Sequence, residues 1–346
     1  KGVNKTFTRK VRIEMKAMLL TTPHPIEKNP LELVDLPVPQ PKPHEMLLEN
    51  KVCGICHTDL HTVEGELPLK KKPIIPGHQA VGMVKQIGNK VKRFNRGNLV
   101  GVAWLHSTCG KCSFCSEGKE NLCEGAQFTG LDVDGGYAQY MVVPEDFAYP
   151  IPVGFSEREA APLLCAGIIG YRALRLSEIK AGQRLGLYGF GASAHVSIQI
   201  ALHWECTVYV FTRGKKHQEL ARKMGACWVG TSKDNPPEKL HSAIIFAPAG
   251  ELVLDALKVL EKGGTLALAG IYMTPIPQID YAVLYHERTV RSVANSTRKD
   301  GEELLKLAAE IPIHTETKVF PLKEANQALK ALKHGEINGA GVLEIT

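Results

Sequence analysis

Gly186-Leu187-Tyr188-Gly189-Phe190-Gly191-Ala192-Ser193-Ala194 decides how the rest of the chain is read. It ends a short apolar run, Arg184 to Tyr188, and opens a run of helical character, Ala194 to His203. Taken as Gly189-x-Gly191-x-x-Ala194, it fits the dinucleotide-binding fingerprint with alanine in the third position. The first two glycines permit a tight turn and close backbone approach to a pyrophosphate, whose charge the helix N-terminus stabilises. Alone, such a turn is a weak signal, because glycine-rich loops are common. Its setting decides its weight.

Downstream the alternation continues. Thr207 to Phe211 reads as a strand and Lys215 to Met224 as a helix; Ala243 to Phe246, Leu252 to Leu260 and Thr265 to Ala269 repeat the pattern. Strands alternating with helices predict a parallel sheet covered on both faces. Upstream of about residue 165 the texture is different. Met46 to Val52, Val81 to Ile87 and Tyr137 to Val143 read as strands separated by turn-forming stretches such as Pro37 to Pro43. From about residue 297 a helix, strand, helix and final strand, Gly341 to Ile345, complete the chain. The expected class is α/β: a Rossmann, doubly wound parallel-sheet domain over 167–296, inserted after a β-rich domain formed by 16–166 and completed by 297–346. A length of 346 residues suits two such cores.

Composition narrows the function classes. Hydrophobic residues make up 44% and charged ones 23%, as in an ordinary globular protein. The net charge of +6 is modest, and no basic or aromatic stripe accompanies it, so no nucleic-acid partner is expected. No apolar run approaches the roughly 20 residues that span a bilayer, so no membrane segment is expected. Lys1 to Glu14 is polar and basic without an apolar stretch, unlike a signal peptide, and Met15 opens the first expected strand. A cytoplasmic location follows as an expectation, and it favours metal binding over disulfides for the nine cysteines.

Four of those cysteines, Cys109-x2-Cys112-x2-Cys115-x7-Cys123, fall within fifteen residues. Four thiolates close the tetrahedral shell of Zn²⁺, the pattern of a structural site; an iron–sulfur cluster takes the same number. Elsewhere, Cys56-His57-Thr58-Asp59-Leu60-His61, Gly77-His78-Gln79 and Leu164-Cys165-Ala166-Gly167 each carry possible ligands. Singly, a His or Cys is more often a core residue. Together Cys56, His78 and Cys165 make a Cys2His set that leaves zinc one open position, but their spacing cannot establish that they meet.

These motifs, with Gly135-Gly136-Tyr137-Ala138 and in this order, resemble the zinc-type alcohol dehydrogenases of the medium-chain dehydrogenase/reductase superfamily. The resemblance runs from about Lys16 to the C-terminus. It implies a GroES-like fold for the β-rich domain, a catalytic zinc on Cys56, His78 and Cys165, and a structural zinc on Cys109, Cys112, Cys115 and Cys123. Asp59 resembles the carboxylate that orients the ligand His78, and Thr58 the hydroxyl that bonds the alcohol. His61 resembles the outer end of a proton relay whose middle is the cofactor ribose, and His57 a residue near the pyrophosphate. Trp104 and Leu67 correspond to substrate-pocket positions. Leu67 is smaller than the aromatic of ethanol-specialised relatives, so larger primary alcohols and aldehydes are expected.

Two departures stand out. Gln79 follows the ligand histidine where relatives commonly carry Glu, which removes a negative charge. The second strand ends in Phe211-Thr212-Arg213-Gly214-Lys215-Lys216, without the acid that NAD-preferring relatives place on the ribose. Thr212 and Arg213 therefore favour NADP(H), since Arg213 can pair with a 2′-phosphate, with use of both NAD(H) and NADP(H) as the alternative. The resemblance also implies a homodimer or homotetramer joined through the cofactor domains. A catalytically silent relative, a zinc-free quinone-reductase-like enzyme and a polyol or secondary-alcohol dehydrogenase are the competing readings.

Overall fold

The computed structural model describes residues 13–311 and 313–345; most of the polar N-terminal stretch, residues 1–12, lies outside them. One sheet contains six parallel strands in the order Trp228–Gly230, Thr207–Phe211, Arg184–Tyr188, Leu240–Ile245, Leu260–Leu268, Thr289–Ser292. Numbered along the chain this is 3-2-1-4-5-6, the doubly wound order. The direction of winding reverses between Arg184–Tyr188 and Leu240–Ile245, and Gly189 leaves the first of them at that point. Ligands of such sheets bind in the crevice beyond the carboxyl ends at the switch point.

Period-two alternation explains why these strands read as continuous apolar runs. Leu185, Leu187, Val208, Val210 and Ile244 bury on one face, under the helix Ala192–His203. Tyr188, Phe211, Ala243, Ile245 and Leu266 bury on the other, under Leu252–Lys258. That last helix stops before Leu260, which opens the next strand rather than ending the helix as its apolar spacing suggested. The flanking strands Trp228–Gly230 and Thr289–Ser292 are short and only partly buried, which hid them from pattern reading.

A second sheet joins residues distant in sequence, in the order Thr317–Pro321, Ala340–Glu344, Glu45–Ile55, Ala80–Ile87, Leu99–Val102, Ala148–Pro150, with Tyr140–Pro144 also paired to Glu45–Ile55. The C-terminal strands thus complete a sheet begun by the N-terminal half. The strand expected from Tyr137 starts only at Tyr140, because the N–H groups of Gly135, Gly136 and Tyr137 bond to carbonyls of Ile75, Gly77 and Pro76. Among the described residues no helix is long and apolar enough to cross a membrane.

Candidate active site and metal centres

Sheet register brings the first ligands together. Glu45–Ile55 and Ala80–Ile87 are antiparallel with Cys53 opposite Ala80, so the chain just after one strand meets the chain just before the other. Cys56 follows the first and His78 precedes the second. Cys56 caps the helix His57–Glu64: its Sγ accepts from Thr58 N at 3.3 Å, while Asp59 Oδ2 accepts from Cys56 N at 2.9 Å. This reciprocal pair is a capping box with a thiol in the usual hydroxyl position. The other oxygen of Asp59 meets His78 Nδ1 at 2.9 Å. One carboxylate therefore ends the helix and turns the imidazole so that Nε2 faces Cys56 Sγ, 3.3 Å away.

Cys165 arrives from a more distant stretch of chain, 109 residues after Cys56. It lies in a π-helical turn, Leu163–Gly167, between the helices Glu157–Pro162 and Ile168–Leu176. Such turns widen a helix locally and recur at functional sites. Its Sγ sits 3.8 Å from that of Cys56. The donor atoms of Cys56, His78 and Cys165 all lie within 4.8 Å of one another. Two sulfurs and one imidazole nitrogen, with the second ring nitrogen held by a carboxylate, fit zinc with one position left open.

Electrostatics agrees with that fit. The Cys165 thiol, close to Cys56, and then the His78 imidazole hold the Cys56 thiol well below its usual range, against the opposing effect of burial. Burial pulls the His78 imidazole down, but Asp59 and Cys56 together outweigh it and raise it to about 10. A cation at this point would compete with the proton for the same donor atoms. Asp59→Asn should accordingly weaken zinc at this site by about 10- to 100-fold, the usual cost of removing the carboxylate behind a ligand histidine. Competition with a chromophoric chelator measures it, and an unchanged affinity would remove Asp59 from this role.

Around the cluster, Thr58 is buried in the first helical turn and His57 is exposed. His61 lies at the end of the same helix, paired with Glu66 and 5.6 Å from the Tyr272 ring. Trp104 sets its edge toward His78 at 5.0 Å and stacks on Phe128 at 5.1 Å. Phe128, absent from the sequence reading, thus backs one candidate wall, and Leu67 is half-buried after the helix. Gln79 is buried, and its side-chain nitrogen has no partner.

The four sulfurs of Cys109, Cys112, Cys115 and Cys123 also lie within 4.8 Å of one another, and none forms a disulfide. Four thiols around one point fit a closed zinc site. The lobe's own core is small: Leu105, Cys123, Ala126 and Phe147. It is fastened to the rest of the fold by Asn121 Nδ2 donating to Ala294 O at 2.6 Å, and by Arg298, which bonds Glu120 and lies over Phe147.

At the fingerprint turn, Gly189 has φ +87°, and an added Cβ would stand 3.0 Å from Ala247 N, so only glycine fits. Gly191 precedes the helix Ala192–His203, and Ala194 is fully buried beneath the turn. Thr212 is held by its N–H on Gly230 O and its carbonyl on Gln218, and Arg213 is exposed beside it. Lys216, His217 and Lys223 line a cavity of about 270 Å³ with His195. Burial pulls His195 down to about 4, and its Nε2 has no partner. Neither Lys216 nor His195 stood out in the sequence, since a lysine at a helix start reads as solvated surface.

Fold and site together define a two-domain dehydrogenase built for a nucleotide and a metal. Residues 42–153 match the family described as alcohol dehydrogenase GroES-like domain, and residues 194–310 that described as zinc-binding dehydrogenase. The chain is 47% identical to the probable alcohol dehydrogenase AdhA of Mycobacterium tuberculosis, over 96% of this chain and 97% of that one. It is 36% identical to an alcohol dehydrogenase of Geobacillus stearothermophilus, covering 92% and 97%. A cinnamyl alcohol dehydrogenase from Helicobacter pylori, solved with NADP(H), superposes with a TM-score of 0.84 at 27% identity, covering 96% and 98%. The chain belongs to the zinc-type alcohol dehydrogenases of the medium-chain dehydrogenase/reductase superfamily, oxidoreductases that act on CH–OH groups.

Proposed function

We propose that this chain interconverts a primary alcohol larger than ethanol and its aldehyde, with zinc at Cys56, His78 and Cys165, a second zinc at the four-cysteine lobe, and NADP(H) as the preferred cofactor. Residues 16–166 and 297–346 would form the catalytic part and 167–296 the cofactor part. The observation that carries the reading is the convergence of two thiols and an imidazole backed by Asp59. Bound there, zinc would supply Lewis acidity to the alcohol oxygen, and the nicotinamide would serve as the hydride carrier. The chain's own residues orient and conduct. Asp59 fixes the ring of His78, Trp104 and Leu67 bound the alcohol, the Thr58 hydroxyl bonds its oxygen, and His61 passes the proton to solvent. Gly189, Gly191 and the helix start at Ala192 receive the pyrophosphate, with His57 near it.

The cofactor preference rests on the missing acid between Phe211 and Lys216 and on the exposed Arg213, with Lys216 one helical turn away. One Arg–phosphate pair contributes about 1.5–3 kcal/mol, or roughly 10- to 100-fold. In a nicotinamide absorbance assay with benzaldehyde, NADPH should exceed NADH in kcat/KM by at least about tenfold, and R213A should lose most of that margin. Benzyl or hexyl alcohol should be preferred over ethanol, and chelation should abolish turnover. A preference for NADH, a sharp preference for ethanol, or turnover indifferent to chelation would each overturn its part of the proposal.

Association of two or four copies through the cofactor domains is supported by the open side of the strand Thr289–Ser292 and the exposed Tyr281 and Tyr285 before it. Sedimentation at micromolar concentration should give a dimer or tetramer. A monomer there would count against it.

A further inference from the structure

His61 is held by a turn as well as by its helix. Gly65, at φ +83°, ends the helix in the left-handed conformation, and a Cβ there would meet Pro23 at 2.9 Å. The chain then folds back, so that Glu66 N donates to His61 O at 2.9 Å and Leu67 N to the same oxygen at 3.4 Å. The same turn carries the Glu66 carboxylate to Nδ1 of the His61 ring. The His61 side chain is 18% exposed and that of Glu66 44%, so the carboxylate lies on the solvent side of the pair. Among the described residues, the rings beside His61 are Tyr272, at 5.6 Å from another element, and His57, at 6.4 Å on its own helix. Glu66 is the only carboxylate among these contacts.

An ionised carboxylate has no proton to give. A hydrogen bond between it and a neutral imidazole therefore requires the proton on Nδ1 and leaves the lone pair on Nε2. We propose that Glu66 is a positioning residue that keeps Nε2 of His61 as the basic atom, so that this nitrogen receives the proton released when alcohol is oxidised. The proton binds at Nε2, the resulting imidazolium stays paired with Glu66, and Nε2 returns the proton to water, restoring the neutral ring. Aldehyde reduction runs the same transfer backwards. The proposal rests on the reading of His61 as the outer end of the relay, and it assigns the work of the turn at Gly65: Leu67 and Glu66 are placed by one backbone reversal.

The test combines a spectroscopic and a kinetic readout on the zinc-loaded, full-length protein. Nitrogen-15 histidine spectra should show His61 as the Nδ1–H form in wild type. E66Q, whose amide can accept from Nδ1–H or donate to a bare Nδ1, should hold both forms, whereas E66L should release the ring to the Nε2–H form. In E66L, kcat for benzyl alcohol oxidation should fall by about tenfold, the lower end of what loss of an orienting partner costs a histidine, with KM little changed; E66Q should fall between E66L and wild type. In an H61Q background, E66L should add no further loss. Undiminished turnover in H61Q overturns the relay reading on which the proposal rests. A loss in H61Q with the same His61 tautomer in wild type and E66L overturns the part given to Glu66.

Discussion

Cys165→Ser is expected to lower alcohol oxidation by at least about 10³-fold and to remove one zinc ion per chain. The donor atoms of Cys56, His78 and Cys165 converge within 4.8 Å of one another. A hydroxyl is a poor substitute for a thiolate, so the proposed zinc site would keep two of its three protein ligands. Lewis-acid polarisation supplies several kcal/mol of transition-state stabilisation, and each 1.36 kcal/mol is tenfold in rate. The substitution is small and the half-buried Cys165 lies in a turn framed by two helices, so the melting temperature should move little. Metal analysis, a melting curve and steady-state kinetics on one preparation separate these effects. Activity retained after loss of the ion would remove zinc from the chemistry; an unchanged ion content would remove Cys165 from the ligand set.

Cys112→Ser should act on the other centre and leave a different signature. The lobe's core of Leu105, Cys123, Ala126 and Phe147 is too small to order the segment by burial alone. Its ties to the rest of the fold include Asn121 and the pair Glu120–Arg298. Loss of a structural metal belongs among the largest single-residue effects, of roughly 5 kcal/mol. For a domain of this size that lowers the melting temperature by about 10–20 °C. Cleavage by trypsin at Lys111 or Lys119 should appear as the lobe loosens, while activity well below the new melting point is largely kept. A melting curve matching wild type, with one zinc missing, would show that the ion does not stabilise the lobe.

What the sequence determined by itself is local. The Gly189 turn, the four cysteines within fifteen residues and the alternation of apolar strands with helices are all legible, because glycine backbone freedom, short-range ligand spacing and side-chain periodicity act over a few neighbouring residues. The cluster of Cys56, His78 and Cys165 is another matter. His78 lies 22 residues from Cys56 and Cys165 lies 109, and family resemblance, not spacing, suggested that they meet. Tertiary structure decided it, through the pairing of Cys53 with Ala80 and through the π-helical turn, Leu163–Gly167, that presents Cys165. The same holds for the Trp104–Phe128 stack and for the short outer strands, whose residues carry no strong pattern of their own. Glu66 shows the boundary most plainly. It stands five residues from His61, within reach of sequence reasoning, yet only the left-handed reversal at Gly65 turns its carboxylate onto the ring. Spacing sets which residues can approach one another; register and backbone reversals fix which atoms face.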